Sequence, residues 1–191
     1  MNETTARLQR PYPRTFRLDE NTEVSFRLMT PADTHRLVTF ARALPEDDLL
    51  YLRMDITKLN VVMQWGQNIK EGRTVTVLAE VDNEIAGYVS LHHNEVTWQR
   101  HLGEVRLQVA PRYRARGLGR ALAGEIFAIA RSLGLSKLVA HMTPDQQGAI
   151  ATVERLGFRR EALLQNFVID RSGQTRDLLV MSYDMPGRIA C

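Results

Sequence analysis

Residues 109–119, V-A-P-R-Y-R-A-R-G-L-G, join a predicted strand to a predicted helix and decide the fold of this chain. Gly117 and Gly119 allow the backbone to turn closely, and the first N–H groups of the helix have no acceptor within it. Such groups favour an anion, as do the neighbouring arginines. A dinucleotide fingerprint needs glycine or alanine at Leu122, a P-loop needs Gly-Lys-Ser/Thr, and the sequence has neither. The stretch predicts a cradle for a phosphorylated cofactor, with a solvated basic loop as the alternative.

A strand and a long helix flank this loop. Apolar residues recur at helical spacing from Leu118 to Leu133, and Gly134 ends the predicted helix. Glu104 to Val109 alternates between apolar and polar residues, as a strand does. One face of that strand carries Val105, Leu107 and Val109, and the other carries Glu104, Arg106 and Gln108.

The remaining patterns predict one domain over residues 24–191, preceded by a tail or a first strand at residues 1–23. A helix is expected from Thr30 toward Leu44, and a second helical stretch after Pro45 carries Leu52 and continues toward Ile69. Asp145 is the expected cap of a later short helix. The predicted strands are Val24–Leu28, Thr74–Val81, Ile85–Leu91, Leu138–Met142, Leu163–Ile169 and Arg176–Tyr183.

The composition is that of an ordinary globular domain. The chain has 191 residues, 44% of them hydrophobic, and a net charge of +3. It lacks a long apolar run and an apolar N-terminal segment, so we expect a cytoplasmic protein without a membrane partner. The only cysteine is Cys191, and the five histidines have no metal-binding spacing, so we expect no metal and read the histidines as surface or structural residues.

The loop resembles the cofactor motif of the GNAT acetyltransferases, which Arg114, Gly117 and Gly119 fill. A helix, a strand and a short helix ending in Leu156-Gly157-Phe158 follow it, as in that family, and the resemblance covers roughly residues 24–184. It implies an α/β (α+β) fold in which helices flank a central mixed, mostly antiparallel sheet. It also implies a splayed strand pair that holds CoA, and transfer of an acetyl group from acetyl-CoA to an amine.

The resemblance assigns the cofactor contacts residue by residue. The pyrophosphate would lie on the backbone N–H groups from Arg116 to Arg120, and the pantetheine arm would pair with the strand before the loop. Gln146 stands where the family commonly has an asparagine. The implied cofactor-binding residues are Leu107, Gln108, Val109, Arg114, Ala115, Arg116, Gly117, Leu118, Gly119, Arg120 and Gln146.

Glu104 is the candidate general base, because an amine must lose a proton before it attacks a thioester. It matches a glutamate of many GNAT lysine acetyltransferases, and the resemblance is nearest to the GNAT domain of bacterial protein lysine acetyltransferases. A solvated strand-end glutamate is the simpler interpretation. Val153 stands where many relatives have a tyrosine that protonates the departing thiolate. That thiol has a pKa of about 8.5, so solvent could supply the proton to the thiolate.

Three other functions remain open. The acceptor could be a small amine instead of a protein lysine. The chain could also be a non-catalytic acyl-CoA-binding module, which Val153 and Gln146 suggest. Nucleic-acid binding is the weakest alternative, because the cofactor already explains the arginine cluster. The expected partners are therefore acetyl-CoA and an amine, in a monomer or a homodimer that binds no nucleic acid.

Overall fold

Eight strands form one sheet in the computed structural model, which describes residues 2–50 and 54–186. The strands are β1 (Arg14–Asp19), β2 (Thr22–Leu28), β3 (Thr74–Val81), β4 (Glu84–His92), β5 (Leu102–Val109), β6 (Lys137–Met142), β7 (Arg159–Ile169) and β8 (Thr175–Asp184). Their order is β1-β2-β3-β4-β5-β6-β8-β7, and only the β5–β6 pair is parallel. The predicted mixed, mostly antiparallel sheet is confirmed.

Helices cover both faces of the sheet, which gives two hydrophobic clusters. The helices are α1 (Glu3–Ala6), α2 (Thr34–Arg42), α3 (Glu46–Leu50), α4 (Leu59–Lys70), α5 (Leu118–Leu133) and α6 (Gln147–Arg155). On one face, Leu37 of α2 and Val62 of α4 pack with Leu78 and Tyr88 of the sheet. On the other face, α5 and α6 pack over the larger cluster. We call the sheet face under α2 and α4 the α4 face, and the sheet face under α5 and α6 the α5 face.

Strand β5 separates from β6 soon after the two strands meet. Its residues Glu104–Val109 pair with β4 along their whole length. Its pairing with β6 covers only Leu102–Glu104 against Lys137–Val139. Beyond that point β6 continues to pair with β8 as far as Met142. A gap therefore opens between β5 and β6, with Glu104 at its closed end.

The predicted helices differ from the structure in three places. The helix expected from Thr30 starts with a 3-10 turn, Pro31–Asp33, and α2 itself begins at Thr34. The helical stretch after Pro45 is interrupted, because residues 54–58 are not helical and α4 begins only at Leu59. In this interruption the Asp55 carboxylate accepts bonds from the N–H and hydroxyl of Thr57, a local turn that competes with helix formation. The predicted cap Asp145 is also wrong, since Gln146 is the N-cap of α6. Leu52 and Cys191 lie outside the described residues.

The N-terminal segment packs against α5 through a buried carboxylate. Strand β1 pairs with β2, and Glu125 of α5 is only 3% exposed. Glu125 accepts hydrogen bonds from Arg10 (2.9 Å) and the Tyr12 hydroxyl (2.7 Å), and Arg14 lies 3.5 Å away. Burial and the nearby Glu125 raise the pKa of Tyr12, which keeps its hydroxyl a proton donor. Glu125 thus joins residues 10–14 to the centre of the domain.

A second charge cluster joins the start of α2 to the sheet. Arg27 of β2 donates to Asp33 (2.6 Å) and Glu80 (2.7 Å), and Arg36 lies 2.6 Å from Glu80. Burial alone would raise the pKa of Glu80, but its bonds to Arg27 and Arg36 outweigh that effect and hold the pKa below its ordinary value. Burial would likewise raise the pKa of Asp33, but its bonds to Arg27 and the Thr30 N–H together outweigh burial and lower that pKa.

Glu125→Gln should destabilise the domain because it removes the charge that Arg10 and Arg14 share at a buried position. We expect a loss of about 2 kcal/mol in the free energy of unfolding, measured by urea titration. Glu84→Gln is the matched control, since Glu84 pairs with Arg112 at an exposed position. Equal losses in the two variants would contradict the role given to Glu125.

The contribution of Glu80 to the free energy of unfolding should depend on pH. Because its pKa is lowered by folding, that stability is present above the ordinary value of about 4.3 and is lost as the pH falls through the folded value. Glu80→Gln should therefore be less stable than wild type at pH 7, by roughly 2 kcal/mol, and the difference should shrink toward pH 3. Urea unfolding at several pH values measures this. A difference that stays constant with pH would contradict it.

Candidate active site

The first turn of α5 contains backbone N–H groups that no carbonyl of the helix accepts. Ala115 (φ 57°) and Gly117 (φ 92°) have left-handed backbone conformations that turn the chain into the helix. The first helical hydrogen bond runs from the Ala121 N–H to the Gly117 carbonyl, 3.0 Å. The N–H groups of Leu118, Gly119 and Arg120 therefore lie in the first turn, where a helix offers no acceptor. A ligand phosphate fits this arrangement.

The arginine side chains of the loop are held mostly by the protein. Arg114 donates to the Val109 carbonyl at 2.9 Å and forms an ion pair with Asp48 of α3. Arg116 pairs with Asp19 and donates to the Thr22 hydroxyl at 3.0 Å, both at the β1–β2 turn. Arg120 is exposed. The side chains of Arg114 and Arg116 thus shape the loop. The Arg114 N–H already donates to the Pro111 carbonyl at 3.1 Å, so of these two residues only Arg116 has a backbone N–H suited to a phosphate.

The backbone of β5 alternates between its two edges. The Ala110 N–H donates to the Ala86 carbonyl, so even-numbered residues of this strand face β4. A Cβ at Gly87 would lie 2.7 Å from the Gln108 carbonyl oxygen, which places that oxygen toward β4 as well. Leu107 and Val109 face the gap instead, and this agrees with the bond from Arg114 to the Val109 carbonyl. Of the three predicted strand contacts, only Leu107 and Val109 present their backbone to the gap.

The predicted base lies at the closed end of the gap, on the α4 face. Its Oε1 accepts a hydrogen bond from Arg106 Nε at 3.0 Å, and its side chain is 20% exposed. His141 of β6 lies on the same face, with Nδ1 3.9 Å from the same Glu104 oxygen. The structure therefore brings together a carboxylate, a guanidinium and an imidazole where β5 and β6 meet.

A second histidine stands beside this group. His92 pairs with Glu104 across β4 and β5. Its two ring nitrogens lie 3.0 Å from the hydroxyls of Thr74 and Ser90. No sequence motif indicates His92 or His141 as site residues, because the strand register decides which residues meet. Once Val139 is known to pair with Glu104, alternation along β6 puts His141 on the same face.

The end of β6 and the start of α6 border the gap on its other side. Gln146 Oε1 accepts the Thr143 N–H at 3.0 Å, so the amide NH₂ is the part of Gln146 suited to donate to a ligand. The Thr143 hydroxyl is buried and has no hydrogen-bond partner among the described residues. Val153 packs partly buried against the core of the α5 face, and supplies no proton donor. The gap thus has polar groups at its border and no tyrosine at position 153.

Within residues 2–50 and 54–186, no three His, Cys, Asp or Glu side chains are grouped so as to hold a metal. No helix in those ranges is long and apolar enough to cross a membrane.

Comparison with known proteins identifies the family of this fold and loop. The model of the acetyltransferase (GNAT) family matches residues 34–158, about two thirds of the chain. YncA of Salmonella typhimurium, solved with its cofactor acetyl-CoA, is 20% identical with a TM-score of 0.74, over 88% of this chain and 97% of that one. The ribosomal-protein-alanine N-acetyltransferase of Brucella melitensis is 25% identical with a TM-score of 0.72, over 83% and 98%. A chimera of Vibrio cholerae spermidine N-acetyltransferase SpeG and hSSAT is 17% identical with a TM-score of 0.70, over 85% and 95%.

The matched family, the N–H cradle and the gap beside β5 lead to one assignment. Acetyl-CoA is the cosubstrate that the cradle and the gap are suited to bind. The chain belongs to the GNAT family and is an acetyl-CoA-dependent N-acetyltransferase.

Proposed function

We propose that this enzyme acetylates the side-chain amine of a protein lysine, with Glu104 as the general base. The observation that carries the proposal is the position of the Glu104 carboxylate at the closed end of the β5–β6 gap, fixed by Arg106. A pantetheine arm that starts at the loop and runs beside Val109 and then Leu107 leads toward this carboxylate. The reacting end of acetyl-CoA and the base would then meet where the two strands join.

Glu104 would act on the nitrogen of the acceptor. At neutral pH an alkyl amine is almost wholly protonated and cannot attack a carbonyl carbon. The Glu104 carboxylate accepts a proton from the ammonium group, which frees the nitrogen lone pair. That lone pair forms a bond to the thioester carbon, and the bond from carbon to sulfur then breaks with its electrons on sulfur. Arg106 is a positioning residue, because its bond to Oε1 orients the carboxylate.

The surroundings of Glu104 support a large acceptor. On the α4 face, beyond Glu104, the side chains of β6, β7 and β8 remain partly open: His141 is 29% exposed, Glu161 44% and Asp184 53%. These carboxylates can attract a cationic side chain, while Lys137 and Arg106 limit the negative charge. A lysine on a long stem could reach Glu104 from such a surface while the rest of its protein stays outside.

The β7–β8 turn bounds the same face at the other end of the gap. Arg171 of that turn lies 3.7 Å from Asp55, in the segment before α4. Lys58 lies 3.5 Å from the same Asp55 oxygen. This contact holds the β7–β8 turn close to the start of α4, at the end of the gap where β5 ends at Val109. An acceptor would therefore approach Glu104 from the open side formed by β6 and β8.

Acetyl transfer to a lysine peptide should depend on Glu104. We expect Glu104→Gln to lower kcat by about 100-fold or more because the proton acceptor is lost, with little change in CoA affinity. CoA-thiol release measures the rate, and calorimetry measures CoA binding. Glu95→Gln is the matched control, since Glu95 pairs with Arg7 at an exposed position.

The acceptor is tested with the same assay on a panel. The panel contains peptides with an internal lysine and a blocked N-terminus, peptides with a free N-terminus and no lysine, and spermidine. Release with the lysine peptides is the expected result. Release only with N-terminal amines or spermidine would overturn the lysine assignment, and CoA binding without release on any amine would favour the non-catalytic module.

The mouth of the gap can be tested separately from the chemistry. A Cβ at Gly119 would lie at ordinary contact distances from side-chain atoms of Leu107 (3.8 Å) and Val109 (3.9 Å), so the fold has room for a Cβ there. A larger side chain at this position would crowd a phosphate bound to the first N–H groups of α5. Gly119→Val should raise the Kd for CoA at least tenfold, which corresponds to a loss of about 1.4 kcal/mol in binding free energy. Gly124→Val is the control, because a Cβ there meets nothing within 4 Å. Equal CoA affinity in both variants, measured by calorimetry, would contradict the proposed path.

A further inference from the structure

We propose that His141 protonates the departing CoA thiolate, using a proton that it receives from Glu104. This inference rests on the proposed function, because it assumes Glu104 as the base. It gives a catalytic role to a histidine that the sequence pattern predicts to be a surface or structural residue. It also supplies a proton donor that Val153 cannot provide.

The geometry links the two side chains across the gap. Glu104 is on β5 and His141 is on β6, and the two strands stop pairing at Glu104 and Val139. Both side chains lie on the α4 face, with Glu104 Oε1 3.9 Å from His141 Nδ1. A small shift or one water molecule brings such a pair within reach of proton transfer. The thioester of a cosubstrate held along β5 would approach the same junction, so both groups can act on it.

Other side chains near the junction are less suited to donate this proton. His92 has both ring nitrogens beside hydroxyl groups, at 3.0 Å from Thr74 and Ser90. Lys137 lies 2.6 Å from Asp184 and 3.2 Å from the Ser182 hydroxyl, away from the gap. Arg106 cannot release a proton near neutral pH. An imidazole accepts and releases protons readily in that range, and His141 is 29% exposed beside the base.

Two protons leave the acceptor nitrogen in this reaction, and one of them reaches the sulfur. Glu104 takes the first proton from the ammonium group and passes it to the neutral imidazole of His141, which restores the carboxylate. The amine nitrogen bonds to the thioester carbon, and the carbonyl π electrons move to oxygen. When the carbonyl re-forms, the carbon–sulfur bond breaks with its electrons on sulfur, and protonated His141 gives its proton to that sulfur. Glu104 takes the second proton from nitrogen and releases it to solvent.

A selenium analogue of the cosubstrate separates this role from a structural one. Selenols are more acidic than thiols, so a selenolate leaves without needing a proton. We expect His141→Gln to lower kcat with acetyl-CoA at least about tenfold, with KM for acetyl-CoA unchanged. With acetyl-seleno-CoA, the ratio of wild-type to variant kcat should fall toward one. His101→Gln, an exposed histidine before β5, is the matched control and should match wild type with both compounds.

Two results would overturn the role of His141. One is a His141→Gln enzyme as fast as wild type with acetyl-CoA, which would leave protonation to solvent. The other is the same loss of kcat with the sulfur and selenium compounds, which would mean that His141 only positions other groups. Glu104→Gln, assayed in parallel, should stay slow with both compounds because the amine must still lose its proton. A Glu104→Gln enzyme with wild-type rates would instead contradict the proposed function itself.

Discussion

Strand β6 pairs with β8 along its whole length but with β5 over only three residues. The site depends on this early end of the β5–β6 pairing. β5 is held by β4 as far as Val109, so it cannot follow β6. The N–H and C=O of Leu107 and the N–H of Val109 then face the gap instead of a strand, while the Val109 carbonyl accepts a bond from Arg114. Buried backbone polar groups require partners, and an extended ligand with amide groups supplies them. The fold therefore creates a place for a strand-like cosubstrate beside β5.

The same separation of strands places the chemistry. Because pairing ends at Glu104 and Val139, the side chains next to that point, Glu104 and His141, come from different strands and meet on one face. The loop that follows β5 ends in the N-terminus of α5, which places the anion cradle at the opposite, open end of the gap. Arg114 joins the two parts, since it binds the Val109 carbonyl from within the loop. Cradle, gap and base thus lie in order along one strand.

Local patterns in the sequence predicted the parts of this arrangement that depend on near neighbours. The spacing of apolar residues and the terminal Gly134 predicted α5 with its observed bounds, and the glycine loop predicted the cradle. Local patterns could not predict the partners of Arg116 at the β1–β2 turn, or the meeting of Glu104 with His141. Those contacts join residues far apart in the chain, and strand register alone brings them together. The turn at Asp55, which separates α3 from α4, rests on a side-chain bond that apolar spacing does not reveal.

Amide hydrogen exchange in β5 can be followed by NMR with and without CoA. CoA should slow exchange of the Leu107 and Val109 amides, because they face the gap. The Gln108 amide, which faces β4, should exchange slowly in both states. Unchanged exchange at Leu107 and Val109 in the presence of saturating CoA would contradict the claim that the free edge of β5 binds the cosubstrate.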